Sequence, residues 1–381
     1  QLVNVMVLRG DGTDRDFMRG ENMGDMDMVI ALTGDDETNL QIVMTCSLLR
    51  PDVPVVARAS TRRTSQSMAD FKPTAIINPF DDYGEFLLLA LEKPHSFRLL
   101  TWLSSDVEME LPPLPAPLST RTWLIVADGQ FGHEIASDLA QAGQKVIQAF
   151  PGEEFDLDAI SGVVAGAESD TTNLALAAHI RSRKPDIYLA VRQQSHVHLP
   201  LLDAFKPDSI FFPPRLVVQR VLTNLISPRL WGFFETVMEE SDEWAARATE
   251  RIVARVGTET PRTDVITISA QQTPSVHRWL GHRRLELGTL FRSPLNAAEP
   301  IAGLPLLLIR GGKVTEFPAD TIFLRPGDEI VMLGSPEAFD EQTEVLYDDS
   351  TLYYAATGHD IPTSQAWRRL TGQRWKDAFY G

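Results

Sequence analysis

The chain has 381 residues, of which 43% are hydrophobic and 23% charged, and its formal net charge is −17. This length suggests two or three domains, each large enough to bury its own core. The strong negative charge disfavours nucleic acid and anionic membrane surfaces as partners, because both repel an acidic protein.

The single cysteine, Cys46, excludes an intrachain disulfide and fits a reducing compartment. Its position within a helical apolar pattern predicts a buried structural thiol. No apolar run approaches the roughly 18–20 residues that a membrane span needs. Early charges at Arg9, Asp11 and Asp14 do not fit a signal peptide. We therefore expect the chain to be soluble.

Short apolar runs alternate with helix-length segments over the first hundred residues. Runs rich in β-branched residues predict strands at 3–8, 27–33, 54–59 and 75–79, with a helix from about 81 to 93. Strands that alternate with helices predict a doubly wound parallel sheet. No opening strand with a glycine turn precedes them, so we expect this copy to be incomplete and about 40–60 residues to lie upstream.

The frame of this segment recurs further along the chain. A shift of 134 positions places Asn39 on Asn173 and Arg58 on Arg192, and 13 of 56 positions are identical between 39–94 and 173–228. A repeat this long indicates duplicated domains rather than a solenoid. The second copy begins at 122 with a strand, a glycine turn and an amphipathic helix.

The predicted fold class is therefore α/β, with two Rossmann-like lobes followed by a small α+β lobe. Turn-separated strands after 258 predict that last lobe. The basic, aromatic tail predicts a docking helix, with lipid contact as the alternative. The predicted segments are a partial first domain 1–109, a proline-rich linker 110–121, a second domain 122–228, a connecting helix or helix pair 229–257, the α+β lobe 258–348 and a tail 349–381.

The glycine turn of the second lobe is a weak candidate for a phosphate cradle. Gly129 and Gly132 follow a strand and open a helix, whose backbone amides can hold phosphate. However, Ala127 replaces the first glycine, and the next strand ends without the acidic residue that usually binds ribose. A relic of the fold without ligand and a dinucleotide site both remain open.

The first lobe offers stronger candidates. Thr33 and Gly34 follow a strand at the sheet edge where open α/β folds bind ligands. The alternative is ordinary capping, with Asp36 as the helix N-cap and Asn39 in the first turn. A divalent cation is a less favoured alternative, held by an acidic cluster of Asp11, Asp14, Asp35, Asp36 and Glu37.

No pattern typical of a catalytic site stands out. His196 and His198 form a close pair, but without a nearby cysteine or patterned carboxylate they favour surface chemistry over zinc. No Ser-His-Asp arrangement, zinc-protease motif or paired-carboxylate signature occurs. We therefore expect a protein that is not an enzyme.

Together these motifs resemble RCK domains, the regulators of potassium conductance of TrkA type. The resemblance rests on the order of the segments Gly10–Asp14, Ala31–Thr33, Asp35–Leu40, Ala57–Arg58, Ile77–Pro79 and Leu324–Gly334. It implies cofactor-binding candidates at Asp11, Gly12, Thr13, Thr33, Gly34, Asp36, Asn39, Arg58, Gly129, Phe131 and Gly132. The implied ligand is NAD, NADH or an adenine nucleotide, with calcium less favoured.

Two tandem units resemble the cytoplasmic region of a two-RCK bacterial potassium channel, at the inner face of the membrane. The resemblance implies a homo-oligomeric ring and a membrane pore domain fused upstream. We expect the two lobes to associate through crossover helices at 81–93 and 215–227, whose apolar faces would otherwise be exposed. The alternatives are a soluble subunit of a separate potassium transporter and, less favoured, an NAD-dependent oxidoreductase. The sequence leaves the ligand, the sign of gating and the ring stoichiometry open.

Overall fold

The structure is a computed structural model that describes residues 11–19, 27–105, 109–114, 122–213, 217 and 228–359. These residues divide into two compact units. The first unit holds the described residues up to Glu92 and those from 122 to 217, which include both predicted lobes. The second holds 93–114 and 229–359.

Lobe one is built on a parallel sheet whose three described strands lie in the order β1-β2-β3. Their short β-branched runs are buried on the face that packs against the helices. The elements are α1 (Arg15–Met18), β1 (Val29–Ala31), α2 (Asp36–Leu49), β2 (Val55–Arg58), α3 (Arg62–Ala69), β3 (Ala75–Ile77) and α4 (Pro79–Glu92). A further helix, α5 (Pro94–Leu103), belongs to the second unit.

Lobe two is a five-stranded parallel sheet in the order β5-β4-β6-β7-β8. Alternate residues of its strands enter two separate apolar clusters, one on each face. The elements are β4 (Thr122–Val126), α6 (Gly129–Gln141), β5 (Lys145–Ala149), β6 (Gly162–Ala165), α7 (Asp170–Arg183), β7 (Tyr188–Arg192), a 3₁₀ turn (His196–His198), α8 (Leu199–Phe205) and β8 (Ser209–Phe211).

The internal repeat of the sequence is also a repeat of the structure. Shifted by 134 positions, β1, β2 and β3 fall on β6, β7 and β8, and α2 falls on α7. Among the described residues of lobe one, β4 and β5 have no counterpart. The α/β fold with two Rossmann-like lobes is therefore confirmed.

Helix α4 joins the two lobes. It follows β3 of lobe one, but its Phe80, Tyr83 and Leu87 lie in one of the two cores of lobe two, packed on α6 and the sheet. This contact agrees with the prediction for the helix at 81–93. Of the other predicted crossover helix, 215–227, the structure describes Val217 alone, which packs in a small cluster with Val56 of lobe one.

The second unit contains an antiparallel sheet in the order β11-β10-β12-β9, which fits the predicted α+β lobe. The segment 229–257 is a pair of helices rather than one. The elements are α9 (Pro228–Glu239), α10 (Asp242–Val256), β9 (Arg262–Thr267), α11 (Pro274–Leu280), a 3₁₀ helix (Leu287–Phe291), β10 (Gly303–Arg310), β11 (Lys313–Glu316), β12 (Glu329–Gly334), α12 (Pro336–Tyr347) and α13 (Asp349–Thr357).

Two boundaries differ from the predicted segments. Helix α5, which we placed in the first domain, packs along α10 because Asp242 Oδ1 accepts hydrogen bonds from the backbone N–H groups of His95 (2.8 Å) and Ser96 (3.0 Å) at its N-terminus. Helix α13, which we placed in the tail, buries Leu352 and Ala355 in the core of the second unit. The predicted docking helix beyond it lies outside the described residues.

Candidate functional site

The carboxyl ends of β1 and β2 are held together by one buried side chain. Asn39 Oδ1 accepts hydrogen bonds from Thr33 N (2.9 Å) and Thr33 Oγ1 (2.8 Å). Asn39 Nδ2 donates to the carbonyls of Thr33 and Arg58, both at 3.0 Å. All of these contacts lie within the protein and Asn39 is fully buried. Its polar groups therefore support the loops rather than face a ligand.

The adjacent aspartates also serve the fold. The N-cap of α2 is Asp35, whose carboxylate accepts from Thr38 N at 2.8 Å, so the prediction that Asp36 is the cap is wrong. The backbone of Asp35 is extended, whereas Asp36 is already helical. The Asp36 carboxylate instead accepts from Ser60 N at 2.9 and 2.8 Å, which fixes the loop after β2.

Lobe two repeats the backbone bonds of this arrangement, with Ala167 in the place of Thr33. Asn173 accepts from Ala167 N (2.8 Å) and donates to the carbonyls of Ala167 (2.8 Å) and Arg192 (2.9 Å). Asp170 accepts from the backbone N–H groups that follow β7. Because the same bonds form in both lobes, Asp36 and Asn39 are parts of the fold that the duplication copied.

Two other predicted site residues, Gly34 and Arg58, lie at this edge of lobe one. A Cβ added at Gly34 would meet no atom within 4 Å, so the backbone there is open to a ligand. The Arg58 side chain is half-buried, and its Nε has no hydrogen-bond partner among the described residues. An exposed backbone beside a guanidinium can bind an anionic group. Gly34 and Arg58 are therefore the strongest candidates that the structure brings to one edge.

The turn at Asp11 is built mainly by its own bonds. Asp11 Oδ1 accepts from Thr13 N (2.9 Å) and Thr13 Oγ1 (2.7 Å), and these bonds hold the pKa of this carboxyl below its usual value. Gly12 packs on α2, where an added Cβ would lie 3.3 Å from Ile42 Cδ1. The turn therefore docks on α2 further along the helix than Asn39. The Asp11 carboxylate is exposed and ionised.

The glycine turn of lobe two is used for close packing. Gly129 opens α6 with φ +72°, a left-handed conformation that favours glycine. A Cβ at Gly132 would lie 2.8 Å from the Ala127 Cβ, so the helix could not approach β4. Phe131 is 1% exposed and stacks on Phe211 at 5.0 Å between ring centroids. Its ring is therefore part of the core rather than a ligand surface.

A cavity of about 550 Å³ in lobe two was not predicted from the sequence. It lies between α7 and the loop that follows β5, and its polar lining includes Glu153, Glu154, His179 and Arg183. The loop is anchored by Glu153 Oε2, which accepts from Phe150 N at 2.8 Å. Sequence reasoning missed it because scattered residues on a helix and a loop carry no motif.

A charged cluster marks the contact between α4 and α6. Arg62 of α3 forms ion pairs with Asp81, Glu134 and Asp138. Asp138 is 4% exposed and its Oδ2 has no hydrogen-bond partner among the described residues. Burial raises the pKa of Asp138 to about 6, although the positive charge of Arg62 acts to lower it. The cluster therefore carries more negative than positive charge at an internal contact.

The described residues include no group of three or more histidine, cysteine or carboxylate side chains placed to hold a metal ion. Of the acidic cluster suggested as a cation site, Asp11, Asp35 and Asp36 accept the hydrogen bonds given above, and Asp14 is the N-cap of α1. Cys46 is buried in lobe one, which raises the pKa of its thiol. Within the described part of the chain, none of the helices has the length and apolar character needed to cross a bilayer.

A family model described as the TrkA-N domain matches residues 1–79. Two curated proteins of Methanosarcina mazei, Trk system potassium uptake protein TrkA homolog 2 and homolog 1, are each 49% identical to this chain over 61 residues. Each match covers 15% of this chain and 13% of the relative, so the chain corresponds to a small part of those proteins.

Three solved structures are similar in fold. The GsuK RCK domain is 12% identical and the match covers 88% of this chain and 84% of that chain, with a TM-score of 0.48. A GsuK channel bound to NAD gives the same identity and TM-score and is covered over 70% of its length. The human SLO3 gating ring is 10% identical, with 86% and 91% of the two chains covered and a TM-score of 0.44.

The family model matches the first lobe, and the internal repeat relates the second lobe to the first. In lobe two, β6, β7, β8 and α7 lie 134 positions after β1, β2, β3 and α2 of lobe one, and Asn173 donates to two carbonyls as Asn39 does. The TrkA-N family model over residues 1–79 agrees with the predicted resemblance to RCK domains of TrkA type.

Proposed function

We propose that this chain is the ligand-sensing regulatory region of a potassium transport protein and has no catalytic role. The observation that carries the proposal is the TrkA-N match over residues 1–79, at the lobe whose strand ends keep an open backbone at Gly34 and an Arg58 Nε without a hydrogen-bond partner among the described residues. The side chains of Asn39 and Asn173 use their polar groups to hold the loops of the two lobes in place. That arrangement suits a protein that changes conformation rather than one that transforms a substrate.

Coupling between ligand and transport needs a mechanical connection, and α4 supplies one. The helix begins directly after β3 of lobe one and buries its rings in lobe two. A ligand at the strand ends of lobe one can shift a conformational equilibrium only if it binds one arrangement of the lobes better than another. We propose that displacement of α4 transmits this difference, at the cytoplasmic face of the membrane and within a homo-oligomeric ring.

We propose that the nucleotide binds lobe one, with an adenine nucleotide or NAD as the ligand class. Asp11, Gly12 and Thr13 would form one side of the site, and Thr33, Gly34 and Arg58 the other. In lobe two, Gly129, Phe131 and Gly132 are committed to packing. The end of β5 also lacks an acidic side chain for a ribose hydroxyl pair.

Calorimetry with NADH and with ADP tests this assignment, using the chain together with any residues that its gene encodes upstream. We expect Asp11→Ala to weaken binding by about 1–3 kcal/mol, since it removes a charged acceptor. Gly129→Asp in lobe two should leave the affinity unchanged. The reverse result, with affinity lost only in Gly129→Asp, would show that the ligand belongs to lobe two.

Two alternative functions can be distinguished from this proposal by direct observation. A soluble subunit of a separate potassium transporter remains the alternative to a channel region, and a pore-forming segment encoded in the same gene would exclude it. An NAD-dependent oxidoreductase would require hydride transfer. Turnover of NADH with a panel of hydroxy and oxo acids would overturn the regulatory proposal.

A further inference from the structure

Lobe one contains a cavity of about 400 Å³ at the amino ends of its strands, the edge opposite to the candidate nucleotide site. Backbone of two loops lines it, one before β2 and one before β3. Its lining includes Pro51, Val53, Phe71, Lys72 and Thr74, together with Ser47, Arg50 and Asp52. The equivalent position in lobe two indicates which chemical group fits this cavity.

In lobe two, the guanidinium of Arg181 fills the equivalent space. Its Nε donates to the carbonyl of Phe205 (2.9 Å), and Nη1 donates to the carbonyls of Pro185 (2.8 Å) and Ile187 (2.6 Å). Nη2 donates to the carbonyl of Lys206 (2.6 Å) and to Asp208 Oδ2 (2.9 Å). Four carbonyls and one carboxylate therefore surround one half-buried cation. The bonds involve all three nitrogens of the guanidinium.

Lobe one keeps this frame but lacks the arginine. Shifted by 134 positions, the four carbonyl-bearing residues of lobe two become Pro51, Val53, Phe71 and Lys72, all of which line the cavity. Arg181 is replaced by Ser47, whose Oγ donates to the carbonyl of Phe71 at 3.1 Å. The carbonyl of Phe71, which corresponds to the acceptor of Arg181 Nε in lobe two, thus points to the equivalent position in lobe one.

The backbone conformation confirms that the two frames are equivalent. Lys72 has φ +52° and Lys206 has φ +44°, a left-handed conformation that is uncommon for lysine. The next residues also correspond. Thr74 Oγ1 accepts from Val55 N at 3.1 Å, as Asp208 Oδ2 accepts from Leu189 N at 2.8 Å. Lobe one therefore has an unusual turn that lobe two uses to direct a carbonyl at a guanidinium.

We propose that lobe one binds a guanidinium group in this cavity, in the position that Arg181 occupies in lobe two. The carbonyls of Pro51, Val53 and Lys72 accept its N–H groups. Asp52 in the lining supplies negative charge, although its side chain is 71% exposed and is shared with Arg50 at 3.5 Å. The volume exceeds that of the guanidinium itself, so the site takes a larger molecule that carries this group at one end.

Titration calorimetry on the whole chain tests the proposal, with guanidinium chloride at millimolar concentration and with agmatine as probes. Urea is the control, since it has a similar planar shape but no charge. We expect saturable binding of both cations at one site per chain and none of urea. Amide NMR shifts should concentrate at Phe71, Lys72 and Thr74. Absence of saturable binding by either cation, or equal binding of urea, would overturn the proposal.

A pair of matched variants identifies the site. Ser47→Arg with Thr74→Asp copies the lobe-two residues into lobe one, and should weaken agmatine binding about tenfold or more while raising the melting temperature. Arg181→Ser opens the second cavity, and should raise the stoichiometry from one site to two. If Arg181→Ser does not fold, the first variant decides alone. Unchanged binding in that variant would place the ligand elsewhere.

The source of the group is distinguished by a third probe, the peptide Gly-Arg-Gly. Binding of agmatine at least as tight as that of the peptide indicates a free small molecule. Binding of the peptide about tenfold tighter than agmatine indicates an arginine side chain presented by a polypeptide. Both outcomes support a guanidinium site. Failure of the nucleotide experiments above would not affect this test, because the two sites lie at opposite edges of the sheet.

Discussion

Replacing Arg62 by methionine is expected to destabilise the unit that contains both lobes by about 2–4 kcal/mol near neutral pH. The variant would leave Asp81, Glu134 and Asp138 without their shared cation at the contact between α4 and α6. The Arg62 side chain is 39% exposed, so solvent screens part of the effect and the full cost of breaking a buried pair does not apply. Urea unfolding followed by circular dichroism measures the change.

The cost of this substitution should depend on pH. Because burial raises the pKa of Asp138 to about 6 from its ordinary 3.8, the protonated carboxyl favours the folded state. That contribution is fully present below 3.8 and is lost as the pH rises through about 6. Without Arg62, the ionised carboxylate of Asp138 loses the cation with which it forms an ion pair. The difference from the wild type should therefore be larger at about pH 8 than at about pH 5.

Two controls separate this effect from a general loss of charge. Arg63→Met removes an exposed neighbour on the same helix and should change stability by no more than about 0.5 kcal/mol. Asp138→Asn, added to Arg62→Met, removes one uncompensated charge and should restore part of the lost stability. A cost that is the same at both pH values would contradict the assignment to Asp138.

Alanine in place of Asn39 or of Asn173 is expected to lower stability by about 2–4 kcal/mol in each case, because buried backbone groups lose their partners. The most direct readout is amide exchange of Thr33 and Ala167, whose N–H groups donate to the two asparagine side chains. Both amides should exchange faster in the matching variant and remain protected in the other. If one substitution removed the protection of both amides, the result would indicate general unfolding instead.

The same experiment decides between structure and ligand binding for Asn39. A residue used only to contact a ligand would leave the ligand-free protein unchanged when it is replaced. Gln41→Ala, on the exposed face of α2, is the control and should have little effect. Wild-type stability in Asn39→Ala would return Asn39 to the set of ligand-binding residues.

Periodicity and the internal repeat predicted the described strands of the two lobes, the order of the lobes and the start of α4 to within two residues, because these depend on local apolar patterns. The strand predicted at 3–8 lies outside the described residues. The cap of α2 was misplaced by one residue. Asp35 and Asp36 are equally capable caps, and only the backbone dihedrals decide which is the first helical residue. Which of the two aspartates caps the helix depends on the loop after β2, because Asp36 accepts its hydrogen bonds from Ser60 in that loop.

Contacts distant in the chain had no sequence signal. Arg62 and Asp138 are separated by 76 positions and belong to different lobes. An apolar stripe on α4 indicated that the helix is buried, but not which sheet it covers. The cavity of lobe one was missed for another reason: it comes from the difference between Ser47 and Arg181, whereas comparison of the repeats drew attention to identical positions.

The path of α4 has a consequence for the order of synthesis. This helix leaves the ribosome before any strand of lobe two, so its Phe80, Tyr83 and Leu87 remain without their final partners while the chain is extended to β8. A fragment that ends at residue 105 should therefore bind the dye ANS strongly and self-associate. A fragment that ends at residue 228 should not, since lobe two then covers these rings. Equal ANS binding by the two fragments would show that α4 already buries these side chains within lobe one before lobe two is made.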